Sequence, residues 1–74
     1  MLTREIVVAD IASALGKPAE SVSDDMDLLD EGLDSVRLMG LIEKWRHAGA
    51  TDVDLPTLAV DPTVGQWVSI VARA

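Results

Sequence analysis

A chain of 74 residues with 49% apolar content is one small domain at most and too apolar to be disordered. Such a chain buries only about 60% of its unfolded surface, so its core must be compact. Thirteen acidic residues against six basic ones give a net charge of −7, which argues against nucleic acid and against an anionic membrane surface. The same charge suits a protein partner with a basic patch. Cysteine is absent, so there is no disulfide framework and no thiolate metal site, and no apolar run approaches the ~18 residues needed to span a bilayer. The N-terminal stretch "MLTREIVVAD" contains acids and lacks a long apolar core, so it does not read as a signal peptide. A reducing, cytoplasmic setting and a monomer are expected.

The first predicted helix runs from about Arg4 to Leu15, with Thr3 as N-cap. Val7, Ile11, Ala14 and Leu15 fall on one face at the helical period. Gly16 sits where a helix C-terminus would place it, and Pro18 discourages continuation. Residues 17–33 read as a long loop with at most one irregular turn, but Val22, Met26, Leu28, Leu29 and Leu33 are too apolar for a free linker. Several of them should pack back onto the bundle. Loops this long in small domains tend to be functional.

The second helix is expected from Ser35 to about Ala48, ending at Gly49, with Asp34 as N-cap. Winding it at 100° per residue gathers Leu38, Leu41, Ile42, Trp45 and Ala48 into a core stripe. Val36, Met39, Gly40, Glu43 and His47 fall on the opposite side, with Ser35 at its upper edge. In "TDVDLPTLAVDP", Asp54 can cap a short turn through Pro56, Thr57 and Leu58. The last helix begins at "DPTVGQW", where Thr63 as N-cap and Gln66 three residues later read as a capping box. Val64, Trp67, Val68 and Val71 form its apolar stripe. The expected fold is all-α: a four-helix bundle of three main helices and one short one, with a long loop between the first two. Trp45 and Trp67 are the expected core anchors, and His47 is expected to be exposed.

Ser35 is the residue at issue. A nucleophilic serine needs a base within hydrogen-bond reach. The lone histidine, His47, lies twelve residues along the same helix, about 18 Å of rise away. No G-x-S-x-G context surrounds the serine, and no residues pair as a metal site. An enzyme is therefore not expected. A bland reading remains, in which Ser35 is only a first-turn helix residue beside a capping aspartate. Against it, a helix start offers unpaired N–H groups and a dipole that favour an anion. Asp34 and Glu31 add negative charge, so the position suits a covalently attached phosphate better than a freely bound one.

The segment "DDMDLLDEGLDSVRLMGLIEKW" resembles the phosphopantetheine attachment region of carrier proteins, also called thiolation domains. Asp25, Leu28, Asp30, Gly32, Leu33, Asp34 and Ser35 match that pattern in order, and "PTVGQW" is similar to the start of the family's last helix. The resemblance covers about Val22 to Trp67. "GLDSVRLM" is most similar to aryl carrier proteins of nonribosomal peptide synthesis. Fatty-acid carriers usually bear acids along the second helix, whereas residues 37–46 here carry Arg37, Lys44 and Arg46 against Glu43 alone, net +2. The acids lie in the preceding loop: Asp24, Asp25, Asp27, Asp30, Glu31 and Asp34.

The resemblance implies a single carrier domain over residues 1–74, free-standing or part of a larger synthetase. It implies that a phosphopantetheinyl transferase, using coenzyme A and Mg²⁺, places 4'-phosphopantetheine on Ser35. An aryl-AMP ligase would load an aryl acid on the arm, and a condensation or cyclisation domain would accept it. Siderophore biosynthesis from dihydroxybenzoate or salicylate is the common family case, and antibiotic biosynthesis from an aminobenzoate-type starter is another. A peptidyl or acyl carrier is the alternative within the class, and an unmodified helical interaction module the alternative outside it. The same resemblance assigns partner contacts to Val36 and Met39, and Arg37, Gly40 and Glu43 beside them complete the expected partner interface. Val36 and Met39 form a small apolar patch beside the serine, and methionine suits surfaces that meet several partners. Gly40 costs roughly 1 kcal/mol in a helix interior relative to alanine, which either permits close approach or is simply tolerated. For Arg37 two expectations stand side by side: contact with a partner, or pairing with a loop carboxylate.

Overall fold

A computed structural model describes residues 2–72. The first helix, α1 (Arg4–Leu15), starts where Thr3 accepts a hydrogen bond from the Ile6 amide at 3.2 Å. Leu2, just before the cap, and Val7 both enter the core, the placement of a hydrophobic staple. The helix stops at Gly16, whose φ of 70° is left-handed and favours glycine. There the amides of Gly16 and Lys17 return to the carbonyls of Ser13 and Ala12.

After a single 3₁₀ turn at Ala19–Ser21, the chain crosses to the far end of the bundle. The Leu28 amide donates to the Pro62 carbonyl at 2.8 Å, the Val64 amide to Met26 at 3.2 Å and the Gly65 amide to Asp24 at 2.9 Å. Asp27 and Thr63 form an isolated antiparallel bridge. Leu28 and Leu33 are buried, and Val22 and Met26 pack against the core, but Leu29 is 52% exposed. The chain turns at Leu28 and Leu29, so seating Leu28 in the core leaves Leu29 on the outside of the turn.

The second helix, α2 (Ser35–His47), is capped by Asp34, which accepts from the Arg37 amide at 2.9 Å. Leu38, Leu41, Ile42 and Trp45 form its buried stripe. The helix ends one residue earlier than expected. Ala48 is its cap and is exposed, Gly49 takes a φ of 116°, and Ala50 beyond the turn is buried instead. Asp54 caps the short α3 (Leu55–Val60). Hydrogen bonding from Thr57, through its side chain and then its backbone N–H, holds the Asp54 carboxyl below the ordinary aspartate range.

The last helix, α4 (Val64–Val71), buries Val64, Trp67 and Val71. Its expected capping box does not form: Thr63 makes no side-chain cap bond, and its hydroxyl donates to Asp61 at 3.2 Å. The loop carbonyls of Met26 and Asp24 take the first two amides of α4, so backbone groups satisfy this helix start.

The four helices enclose one core in which Trp45 and Trp67 meet edge-to-face, with centroids 6.3 Å apart and planes at 79°. Neither indole N–H is stranded. Trp45 donates to Asp10 at 3.0 Å and Trp67 to the Leu58 carbonyl at 2.9 Å. Asp10 also accepts from Lys44 at 2.9 Å. Because Asp10 faces Lys44 and Trp45 while Ala14 faces Arg37, α1 and α2 run antiparallel.

Candidate functional site

The loop "DEGLDS" delivers Ser35 to the head of α2 through a series of local constraints. The Asp27 carboxylate accepts from the amides of Leu29 and Asp30 at 2.9 and 3.1 Å, an Asx-type turn. The Glu31 amide returns to the Asp27 carbonyl, Gly32 to Leu29 and Leu33 to Leu28. Gly32 has a φ of 92°, a conformation that costs a side-chain-bearing residue. Buried Leu28 and Leu33 bracket this turn and fasten it to the core. Asp34 then caps, and Ser35 is the first helical residue.

Ser35 is exposed, and its hydroxyl has no hydrogen-bond partner among the described residues. A helix of thirteen residues sets His47 at the opposite end, about 18 Å along the axis. An accessible, unpaired hydroxyl beside free helix N–H groups suits covalent attachment of a phosphodiester, and His47 is too far away to act as its base. The residues present therefore fit a covalent phosphate-linked group on this oxygen.

Around the serine, Val36 is 80% and Met39 51% exposed. Gly40 is exposed, and a methyl group there would meet nothing within 4 Å. Met39 and Glu43 continue into a shallow cleft between α2 and the start of α3, of about 330 Å³, floored by Ile42, Val53 and Leu55. Arg37 turns away from this face. Its guanidinium donates to the Ala14 carbonyl at 3.1 Å and lies 3.8 Å from the Asp34 carboxylate.

The three lysine and arginine residues of α2 are all engaged within the molecule. Lys44 reaches Asp10 and Arg46 donates to the Val53 carbonyl at 2.9 Å, while Arg37 is held as above. Arg4 pairs with Asp24 and Lys17 with Glu31. Every described lysine and arginine thus has an internal partner. The sequence reading did not single out Asp27 or Gly65. Asp27 carried only a weak signal, an aspartate two residues before a turn. Gly65 carried a better one, a glycine inside a helical pattern, which marks close backbone approach. A Cβ there would stand 3.2 Å from the Asp24 carbonyl oxygen.

The helical bundle holds out an unpartnered serine at the head of a helix, on a loop fastened to its core. Comparison with known proteins gives the family. The family model described as "Phosphopantetheine attachment site" matches residues 5–71, and the chain belongs to this family, whose members carry covalently attached 4'-phosphopantetheine. Among curated proteins it is 45% identical over 90% of its length to the isochorismatase of Bacillus subtilis. It is 40% identical over 92% of its length to the phenyloxazoline synthase MbtB of Mycobacterium tuberculosis, and 42% identical over 96% to the pyochelin synthetase PchE of Pseudomonas aeruginosa. The chain spans 21% of the first protein and 5% of each of the others. No solved structure matches it. Among the described residues no helix is long and apolar enough to cross a membrane.

Proposed function

We propose that this chain is an aryl carrier protein and that Ser35 is its modification site. Residues 1–74 act as one carrier domain, a cytoplasmic monomer or part of a longer synthetase. A phosphopantetheinyl transferase modifies the Ser35 hydroxyl. An aryl-AMP ligase and then a condensation or cyclisation domain engage the loaded form in siderophore or peptide biosynthesis. The arm, when bound, supplies the terminal thiol on which an aryl acid is held as a thioester. The chain itself catalyses nothing. It fixes Ser35 at a rigid helix head and raises the local concentration of the tethered group at each partner.

The observation that carries the assignment is the exposed Ser35 hydroxyl with no internal partner, at the position that "GLDS" gives it in a chain of this family. The aryl subtype is supported by "GLDSVRLM" and by likeness to a protein named for a phenyl-bearing product. For the partner face, Val36, Met39, Gly40 and Glu43 share the exposed side of α2 next to Ser35. A patch of two apolar side chains and a bare glycine backbone gives a partner close approach.

The substrate class is tested on the phosphopantetheinylated protein by comparing thioester loading by aryl-acid and by amino-acid adenylating enzymes. Loading by the aryl enzymes alone is expected, and efficient loading only by the amino-acid enzymes would make it a peptidyl carrier. Met39→Ala should slow transfer to or from a partner while leaving helical circular dichroism intact. Unchanged kinetics would remove Met39 from the interface.

A further inference from the structure

The C-terminal end of α1 carries carbonyls that its own backbone cannot satisfy. Those of Ala12 and Ser13 are met by the amides of Lys17 and Gly16. That of Ala14 is met from another helix, by the Arg37 guanidinium at 3.1 Å. The last turn of α1 contains no basic residue of its own, so Arg37 also supplies the positive charge that the negative end of this helix favours. The same side chain lies 3.8 Å from Oδ2 of Asp34, and the Arg37 backbone amide donates to Oδ1 of that carboxylate at 2.9 Å. Arg37 therefore bears on both oxygens of the α2 cap while anchoring to α1 across 23 residues of sequence. Ser35 lies directly after the capped residue.

We infer that Arg37 is a positioning residue for modification of Ser35, acting through Asp34 and the end of α1 rather than by touching a partner. The inference rests on the assignment of Ser35 as the attachment site. In the transfer, the Ser35 O–H bond breaks and an O–P bond forms to the pantetheine-side phosphorus of coenzyme A. The nucleotide portion leaves, and the proton passes to the transferase. The reacting oxygen must meet that phosphorus in line, and small errors of placement are costly in such steps. Asp34 sets the direction in which α2 begins, and Arg37 keeps Asp34 and the α1 terminus in fixed relation. A surface contact with a partner would instead need the guanidinium to leave both.

The test is steady-state phosphopantetheinylation of wild type, Arg37→Gln and Arg37→Lys by one transferase, well below each variant's unfolding temperature. For Arg37→Gln, kcat should fall on the order of tenfold with KM for the carrier unchanged. Arg37→Lys should recover part of the loss, since one ammonium can reach the carbonyl or the carboxylate but cannot fork to both. In the Asp34→Asn background, Arg37→Gln should have a smaller effect on kcat, because the charge it orients is gone. A rise in KM with kcat intact, rescued fully by lysine and erased by salt, would make Arg37 a partner contact and overturn the inference. Unchanged kinetics in Arg37→Gln would overturn it as well. If wild type itself takes up no mass on Ser35, the carrier assignment fails and this inference falls with it. If wild type is modified normally, only the role of Arg37 is in question.

Discussion

Replacing Leu28 with alanine, beside the same replacement at Leu29, separates the part of the long loop that builds the fold from the part that decorates it. Leu28 has no exposed surface, whereas its neighbour is 52% exposed. Buried leucine-to-alanine changes cost about 2–5 kcal/mol, more when the surroundings cannot collapse. Leu28 is pinned on both sides, its amide on Pro62 and its carbonyl taken by the Leu33 amide, so a value in the upper half, about 3–5 kcal/mol, is expected. A 74-residue domain has a total stability of roughly 4–11 kcal/mol. The loss would therefore consume much of it. In urea, with a slope near 1–1.5 kcal/mol/M for a domain of this size, the midpoint should fall by about 2–5 M. Leu29→Ala should change stability by no more than about 0.5 kcal/mol. Equal midpoints for the two variants would refute the claim that the loop is anchored through Leu28.

Three further outcomes follow from single contacts. Asp34→Ala removes the cap of α2 and should cost about 1 kcal/mol, lowering the melting temperature by roughly 4–8 °C, while Asp34→Asn should stay near wild type. Gly40→Ala should raise the melting temperature, since the added methyl meets nothing and alanine gains up to about 1 kcal/mol in a helix. Gly65→Ala should lower it, because its Cβ would press on the Asp24 backbone, and a rise in both would remove the close approach from the account. Finally, hydrogen bonds from Thr57 hold the Asp54 carboxyl below its ordinary range. Its contribution to stability is full above that range and is lost as pH falls through the depressed value. Asp54→Asn, which keeps a capping oxygen, should flatten that part of the acid limb of an unfolding-versus-pH curve. An unaltered limb would show that Asp54 does not titrate with folding.

The helices were legible because their signals are local. Thr3, Asp34 and Asp54 announce helix starts, Gly16 announces a stop, and the stripe Leu38, Leu41, Ile42, Trp45 keeps the helical period. The path of the loop was not legible. Its decisive bonds run from backbone to backbone between residues 24–28 and 62–65, and such pairings leave no side-chain pattern to read. The missed capping box has a local reason: the Thr63 hydroxyl turns to Asp61, while the docked loop serves the amides of Val64 and Gly65. Ser35 stood out through its ordered neighbours, and the structure adds why they are ordered: Leu28 and Leu33 anchor, Gly32 turns and Asp34 caps. Arg37 stayed open between two expectations because its backbone acceptor on Ala14 has no residue identity that a sequence could display. The charge count on α2 was likewise silent on partners: Lys44 pairs with Asp10 and Arg46 donates to the Val53 carbonyl.

The central claim is that Ser35 carries the arm. Incubating wild type and Ser35→Ala with coenzyme A, Mg²⁺ and a promiscuous phosphopantetheinyl transferase, then weighing the intact proteins, tests it most directly. The expected result is one phosphopantetheine added to wild type and none to a folded Ser35→Ala. No mass gain on wild type, or a gain that persists in Ser35→Ala, would contradict it.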